Sequence, residues 1–127
     1  GDRVLVAMAA TLRAQVRQAD GLGRLGGEEF AVFLPGADLE TATQVAERIR
    51  SAMSVLVLDG PDGSRIAAPT VSQGVALSSP GTGKTELLLR ADEALYRAKA
   101  AGRNRTCVAT ASRAPFPQEE PESASIA

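Results

Sequence analysis

No histidine and no tryptophan occur in the 127 residues, and cysteine occurs once, at Cys107. Without histidine, the usual His/Cys zinc sites and any histidine-based nucleophile triad are excluded. One thiol cannot close an internal disulfide, so a reducing compartment fits best. Only 3% of the chain is aromatic, yet 44% is hydrophobic, which is enough for one core and leaves room for one domain and little more. No stretch resembles a signal peptide or a membrane span. The net charge is −1, and the last residues set Arg113 against Glu119, Glu120 and Glu122, leaving the remainder near neutral. Within that remainder, basic residues gather late, at Arg97, Lys99, Arg103 and Arg105. Such a density suggests a local anion site rather than a polyanion-coating surface, so no nucleic-acid partner is expected. Taken alone, the cluster is better explained as a solvated helix face.

Periodicity places the elements. Val4, Leu5, Met8, Leu12 and Val16 recur at helical spacing and predict an amphipathic helix over roughly 3–18, ended by Gly21 and Gly23. "RLGGEEFAVFLP" reads as two short strands around Gly26-Gly27, with Pro35-Gly36 stopping the second. Asp38 is placed to cap a helix whose apolar positions Leu39, Ala42, Val45, Ala46, Ile49 and Met53 share one face. Strand, a turn at Gly60-Pro61-Asp62-Gly63, and strand again follow. A final helix is expected from about Thr85 to Ala101, with Leu88, Ala91, Leu95 and Ala98 inward and Gly102 at its end. "TCVA" at 106–109 is strand-like, and Ala, Ser, Pro and Glu dominate from Thr110 onward, which predicts a disordered tail over 110–127. The fold class is therefore α/β, an α+β sandwich with a largely antiparallel sheet and flanking helices.

Two stretches invite a chemical reading. "SSPGTGKTELLL" places Gly81-Thr82-Gly83-Lys84-Thr85 between a strand-like and a helix-like run, the context of a phosphate-cradling loop. That motif needs a glycine six residues before its lysine, and Ser78 stands there. Too little chain follows for the further parallel strands such a fold requires. A flexible connection with Thr85 as helix N-cap accounts for these residues. The second stretch, Glu28-Glu29 after Gly26-Gly27, is harder to dismiss. Carboxylates at a hairpin tip can hold Mg²⁺, which prefers hard oxygen ligands, and such an ion would bridge to substrate phosphates. Adjacent strand residues point to opposite faces, so only one of the pair faces a given ligand unless the turn twists. A solvated hairpin whose charges discourage edge pairing is the plain alternative.

"RLGGEEF" resembles the signature of GGDEF domains, the diguanylate cyclases, with Glu in place of the usual Asp. "TVSQGVA" at 70–76 is similar to the family's later strand, and "ADEALYRAKAAGRNR" at 91–105 to its closing helix and turn. "RQAD" at 17–20 lies where many members carry an RxxD product-binding motif, and "GD" at 1–2 matches the end of a helix-opening motif. The resemblance covers 1–109 and implies a nucleotidyl-cyclase, palm-like fold. It implies an enzyme that joins two GTP molecules into cyclic di-GMP, using Mg²⁺ (or Mn²⁺), as a homodimer of domains that each hold one GTP. By the same resemblance, Glu28 and Glu29 are the metal ligands and catalytic carboxylates. Gly26 and Gly27 pack against the nucleotide, Asp2 accepts from the guanine edge, and Lys99 and Arg103 hold the phosphates. Arg17 and Asp20 match the inhibitory product site, to which Arg48 contributes. The family's first, central strand with its metal-binding aspartate is expected before Gly1, so the chain reads as an N-terminally truncated piece and is expected to lack cyclase activity as it stands. The longer protein is expected to be bacterial and cytoplasmic, with a sensor or dimerising module upstream, where a membrane tether is also left open. Leu25 and Gln73 depart from the family pattern, and a buried Gln73 would need hydrogen-bond partners. The alternative is a catalytically silent module that binds cyclic di-GMP or regulates a partner.

Overall fold

A computed structural model describes residues 2–26, 29–109 and 124–126. Helix α1 (Asp2–Gln15) is followed by an antiparallel hairpin of β1 (Gly21–Gly26) and β2 (Glu29–Leu34). Helix α2 (Leu39–Ser54) leads to a small separate hairpin, β3 (Val57–Asp59) with β4 (Arg65–Ala67). Strand β5 (Gln73–Leu77), helix α3 (Lys84–Ala100), β6 (Thr106–Val108) and β7 (Ala124–Ile126) complete the order. The main sheet runs β1-β2-β7-β5-β6, antiparallel throughout except where β5 and β6 lie parallel.

Alternation along the strands sorts the core into two layers. Val32, Leu34, Val75 and Ile126 face α1 and α2, where they meet Leu12, Ala42, Val45, Ala46, Ile49 and Met53. Phe33 and Ala76 face the other way, onto Leu87 and Ala91 of α3. The second layer is thin because its helix lies unusually near the sheet. A Cβ at Gly74 would collide with the Ala91 carbonyl oxygen and the Leu95 amide nitrogen, so glycine there sets how closely α3 approaches β5. Gln73, on the opposite face, is buried and satisfied: its Nε2 donates to the Ala46 carbonyl at 2.7 Å and to Thr106 Oγ1 at 2.9 Å. It ties α2 to the sheet.

Several expectations are corrected. The first helix stops at Gln15, and Gly21 and Gly23 belong to β1 rather than to a helix end. Leu39 is 39% exposed, outside the buried stripe of α2. Asp38 does cap that helix, accepting from the Thr41 amide at 2.8 Å, and these bonds hold its carboxyl below the ordinary aspartate range. The cap's stabilisation is therefore present above the unfolded-state pKa and fades as pH falls through the lower folded value. Gly83, not Thr85, is the N-cap of α3, and no side chain bonds there. The expected disordered tail is wrong at 124–126, which form β7 in the middle of the sheet; 110–123 lie outside the described residues.

Gly74→Ala is expected to cost about 3 kcal/mol, because helix backbone cannot yield as a side-chain end can. Urea unfolding measures it, and a loss near zero would mean that α3 can move away freely.

Candidate functional site

The end of α3 shapes one wall. Gly102 donates to the Lys99 carbonyl at 3.4 Å and Arg103 to the Ala98 carbonyl at 3.0 Å, the paired bonds of a Schellman ending. The chain then stays in the left-handed region through two non-glycine residues, Arg103 (φ 64°) and Asn104 (φ 45°). Such backbone persists only where its surroundings impose it. Here the Ser72 hydroxyl accepts from the Asn104 amide at 3.2 Å, and Arg50 donates to Asn104 Oδ1 at 3.2 Å. This turn reverses the chain so that Arg103 and Lys99 line one cavity.

The hairpin supplies the facing wall. Gly26, at φ +149°, closes β1 in a conformation that favours glycine. Gly27 and Glu28 lie outside the described residues. Glu29 opens β2, and alternation from Phe33 puts it on the face that α3 covers. The cavity, about 500 Å³, is lined by Gly26, Glu29, Lys99 and Arg103, with Thr70 and Ser72 adding hydroxyls and Phe30 apolar surface. The Lys99 and Arg103 side chains have no protein partner among the described residues. Two unpartnered cations opposite a carboxylate suit a polyanion that brings its own cation. No cluster of three potential metal-ligating side chains occurs among the described residues. Mg²⁺ usually takes only one or two carboxylates and completes its shell with phosphates and water, so Glu29 fits that mode of binding. Asp2 starts α1, but its side chain lies outside the described residues.

Arg17, Asp20 and Arg48 meet elsewhere, at the end of α1. Asp20 Oδ2 accepts from the Arg17 amide at 2.7 Å, and Oδ1 pairs with the Arg17 guanidinium at 3.1 Å. The Asp20 side chain is 2% exposed and that of Arg17 68%, so the carboxylate acts inward while the guanidinium faces solvent. Arg17 also donates to the Pro35 carbonyl at 3.2 Å. Arg48 reaches across from α2 to the Gln15 carbonyl at 2.8 Å. Sequence reasoning missed Arg13, which donates to the carbonyls of Asp20 and Gln18 and brings a third guanidinium to this turn. Its i,i+4 spacing from Arg17 was the available signal.

The phosphate-loop lookalike has no comparable setting. Lys84 Nζ lies 5.8 Å from the Phe33 ring centroid, in cation–π range. Ser79 and Thr82 bond each other through hydroxyls at 2.9 Å and through backbone at 2.9 Å. Fifteen residues of helix separate Lys84 from Lys99, roughly 22 Å along the axis.

A hairpin carboxylate and a helix-end lysine and arginine thus share one pocket on a largely antiparallel sheet, a lining whose chemistry suits a phosphate-bearing ligand. Comparison with known proteins identifies the chain further. The model of the family described as "Diguanylate cyclase, GGDEF domain" matches residues 1–105, and the chain belongs to that family. It is 43% identical over 109 residues to diguanylate cyclase DgcM of Escherichia coli K12, covering 86% of this chain and 25% of that protein. It is 42% identical over 109 residues to diguanylate cyclase DgcP of Pseudomonas aeruginosa, covering 86% of this chain and 16% of that one. The chain thus spans a quarter or less of these two relatives. Among solved structures, the GGDEF domain of DgcB from Caulobacter crescentus in complex with c-di-GMP superposes with a TM-score of 0.79 at 32% identity, over 84% of this chain and 63% of that one. The mixed α/β architecture is that palm-like fold.

Asp20→Ala is expected to destabilise the chain by about 1–3 kcal/mol, since it strips a buried acceptor from an amide and a guanidinium. Arg17→Ala removes only an exposed partner and should cost about 0–1 kcal/mol. Chemical denaturation of both variants measures the difference; a reversed order would contradict this account of the turn.

Proposed function

We propose that the chain is the GTP-holding domain of a bacterial diguanylate cyclase. The observation that carries this reading is the shared cavity of Glu29, Lys99 and Arg103. In the proposed reaction, two such domains face each other, each with one GTP. Each 3′-hydroxyl attacks the α-phosphorus of the opposite GTP, two P–O bonds form, two break, and two pyrophosphates leave with cyclic di-GMP remaining.

Lys99 gives the triphosphate a mobile point charge, and Arg103 a planar fork that bonds two phosphate oxygens at once. Gly26, with Gly27, lets the hairpin backbone approach the nucleotide where a Cβ would intrude. Asp2 is assigned the guanine edge, whose ring N–H and amino group suit a carboxylate. Glu28 and Glu29 would hold a divalent cation, Mg²⁺ or Mn²⁺, which neutralises charge developing on the phosphates. One carboxylate of that pair accepts the proton of the 3′-hydroxyl. Charge stabilisation of this kind is commonly the largest contribution to phosphoryl-group chemistry. Arg17, with Arg48, is assigned the inhibitory site for cyclic di-GMP; the solvent-facing guanidinium receives a phosphate while Asp20 fixes its direction. The expected setting is cytoplasmic, and no described helix is long and apolar enough to cross a membrane.

The exposed guanidinium of Arg17 favours a second reading, a module that binds cyclic di-GMP without making it. Calorimetry separates the two. Under the first reading the chain binds GTP with Mg²⁺, and Lys99→Ala or Arg103→Ala each weakens binding about 10–100-fold, the worth of one charge-assisted hydrogen bond. Glu29→Ala is expected to abolish the Mg²⁺ dependence of that affinity. Cyclic di-GMP binding that needs Arg17, with no GTP binding at all, would replace the first reading by the second.

A further inference from the structure

Three successive residues after α3 hold positive φ: Gly102 at 125°, Arg103 at 64° and Asn104 at 45°. Glycine enters that region freely and asparagine more readily than most residues, but arginine has no such preference. Left to itself, the turn would relax to ordinary φ values, and Arg103 would swing off the cavity wall. Bonds to the sheet and to α2 oppose this. The Asn104 amide donates to Ser72 Oγ at 3.2 Å, and the Gln73 amide donates to the Arg105 carbonyl at 2.9 Å. Arg105 Nε turns back to the Arg103 carbonyl at 3.1 Å.

The bond from α2 is of a different kind. Arg50 Nη1 donates to Asn104 Oδ1 at 3.2 Å, across 54 positions of sequence. The same guanidinium is held from behind, its Nε donating to Glu47 Oε2 at 3.0 Å one helical turn earlier. A planar guanidinium bonded at Nε has its Nη1 direction fixed, which a lysine ammonium could not provide. Arg50 and Asn104 do not line the cavity, whereas their neighbours Ser72 and Arg103 do. Glu47, Arg50 and Asn104 thus form a chain that ends on the backbone of a cavity arginine without entering the cavity.

We propose that Glu47, Arg50 and Asn104 are a latch that aims Arg103 into the cavity, and that Arg50 is a positioning residue for phosphate binding. This assignment rests on reading the cavity as the GTP site. Arg50 acts through Arg103 and does not touch the ligand. A site that is competent only part of the time binds with its affinity reduced by that fraction. With the latch closed, the turn already holds Arg103 in place before the triphosphate arrives. With it open, part of the binding energy goes into restoring positive φ at Arg103 and Asn104.

The test pairs calorimetry of Mg²⁺–GTP binding to the 127-residue chain with hydrogen exchange of the Asn104 amide in the ligand-free chain. Arg50→Ala should weaken binding about tenfold and speed that exchange about tenfold, as the competent fraction falls. Asn104→Gly keeps positive φ accessible but removes Oδ1, and it should weaken binding by a similar factor. Placed on Arg103→Ala, the Arg50→Ala change should cause no further loss, because the two act as one unit. Should Arg50→Ala fail to fold, Asn104→Gly alone and on Arg103→Ala decides. Wild-type affinity in Asn104→Gly would overturn the latch, since asparagine would then serve only the backbone conformation. A further loss on the Arg103→Ala background would also overturn it, showing that Arg50 acts by another route. If Arg103→Ala weakens binding while Arg50→Ala leaves both affinity and exchange unchanged, the latch falls and the GTP reading stands. If the unaltered chain binds no Mg²⁺–GTP, the GTP reading falls and the role assigned to Arg50 falls with it.

Discussion

The site depends on how closely α3 lies against β5. Gly74 is the contact point: without a side chain there, the Ala91–Leu95 turn of the helix sits directly on the strand. Alanine side chains on the helix (Ala91, Ala94 and Ala98) are all fully buried along that face. The geometry at the other end follows from this contact. The helix ends at Ala100, the Schellman ending turns the chain, and Lys99 and Arg103 come out over the same cavity as Glu29. A helix one side-chain layer further out would carry both cations away from the hairpin.

Charge partnering distinguishes the two basic regions. Around the end of α1, the guanidiniums of Arg13, Arg17 and Arg48 are engaged with carbonyl groups, and Arg17 also with Asp20. Those bonds brace the turn between α1 and β1 and leave Arg17 partly available to solvent. At the cavity, the Lys99 and Arg103 side chains have no described protein partner. Holding such cations near each other without compensation is unfavourable, and a polyanionic ligand relieves it. The same arithmetic of partners disposes of the glycine-rich loop before α3, where Lys84 lies over Phe33 and the loop hydroxyls bond one another.

Much of this was legible in the sequence, for identifiable reasons. The β1–β2 hairpin was readable because a double glycine separates two short strands. Helix α2 was readable because Ala42, Val45, Ala46, Ile49 and Met53 repeat at helical spacing and Asp38 precedes them. The partners of Gln73 were not readable, since the Ala46 carbonyl comes from a helix 27 positions away. The reason for Gly74 was hidden likewise: it is a matter of space against α3, not of backbone torsion. Strand β7 escaped detection because three residues, Ala-Ser-Ile, in a stretch rich in Ala, Ser, Pro and Glu carry no period; the neighbouring strands on both sides make it a strand. Thr85 was mistaken for a cap because threonine favours that position, whereas α3 begins earlier, after Gly83.

The central claim is that one metal-bearing triphosphate touches Glu29, Lys99 and Arg103 together. Paramagnetic broadening of backbone amide signals by Mn²⁺–GTP, recorded by NMR on the 127-residue chain, tests it most directly. The account predicts that signals of Glu29, Lys99 and Arg103 vanish first while those of Gly81 to Thr85 persist. Loss of the Gly81–Thr85 signals with Glu29, Lys99 and Arg103 intact would contradict it.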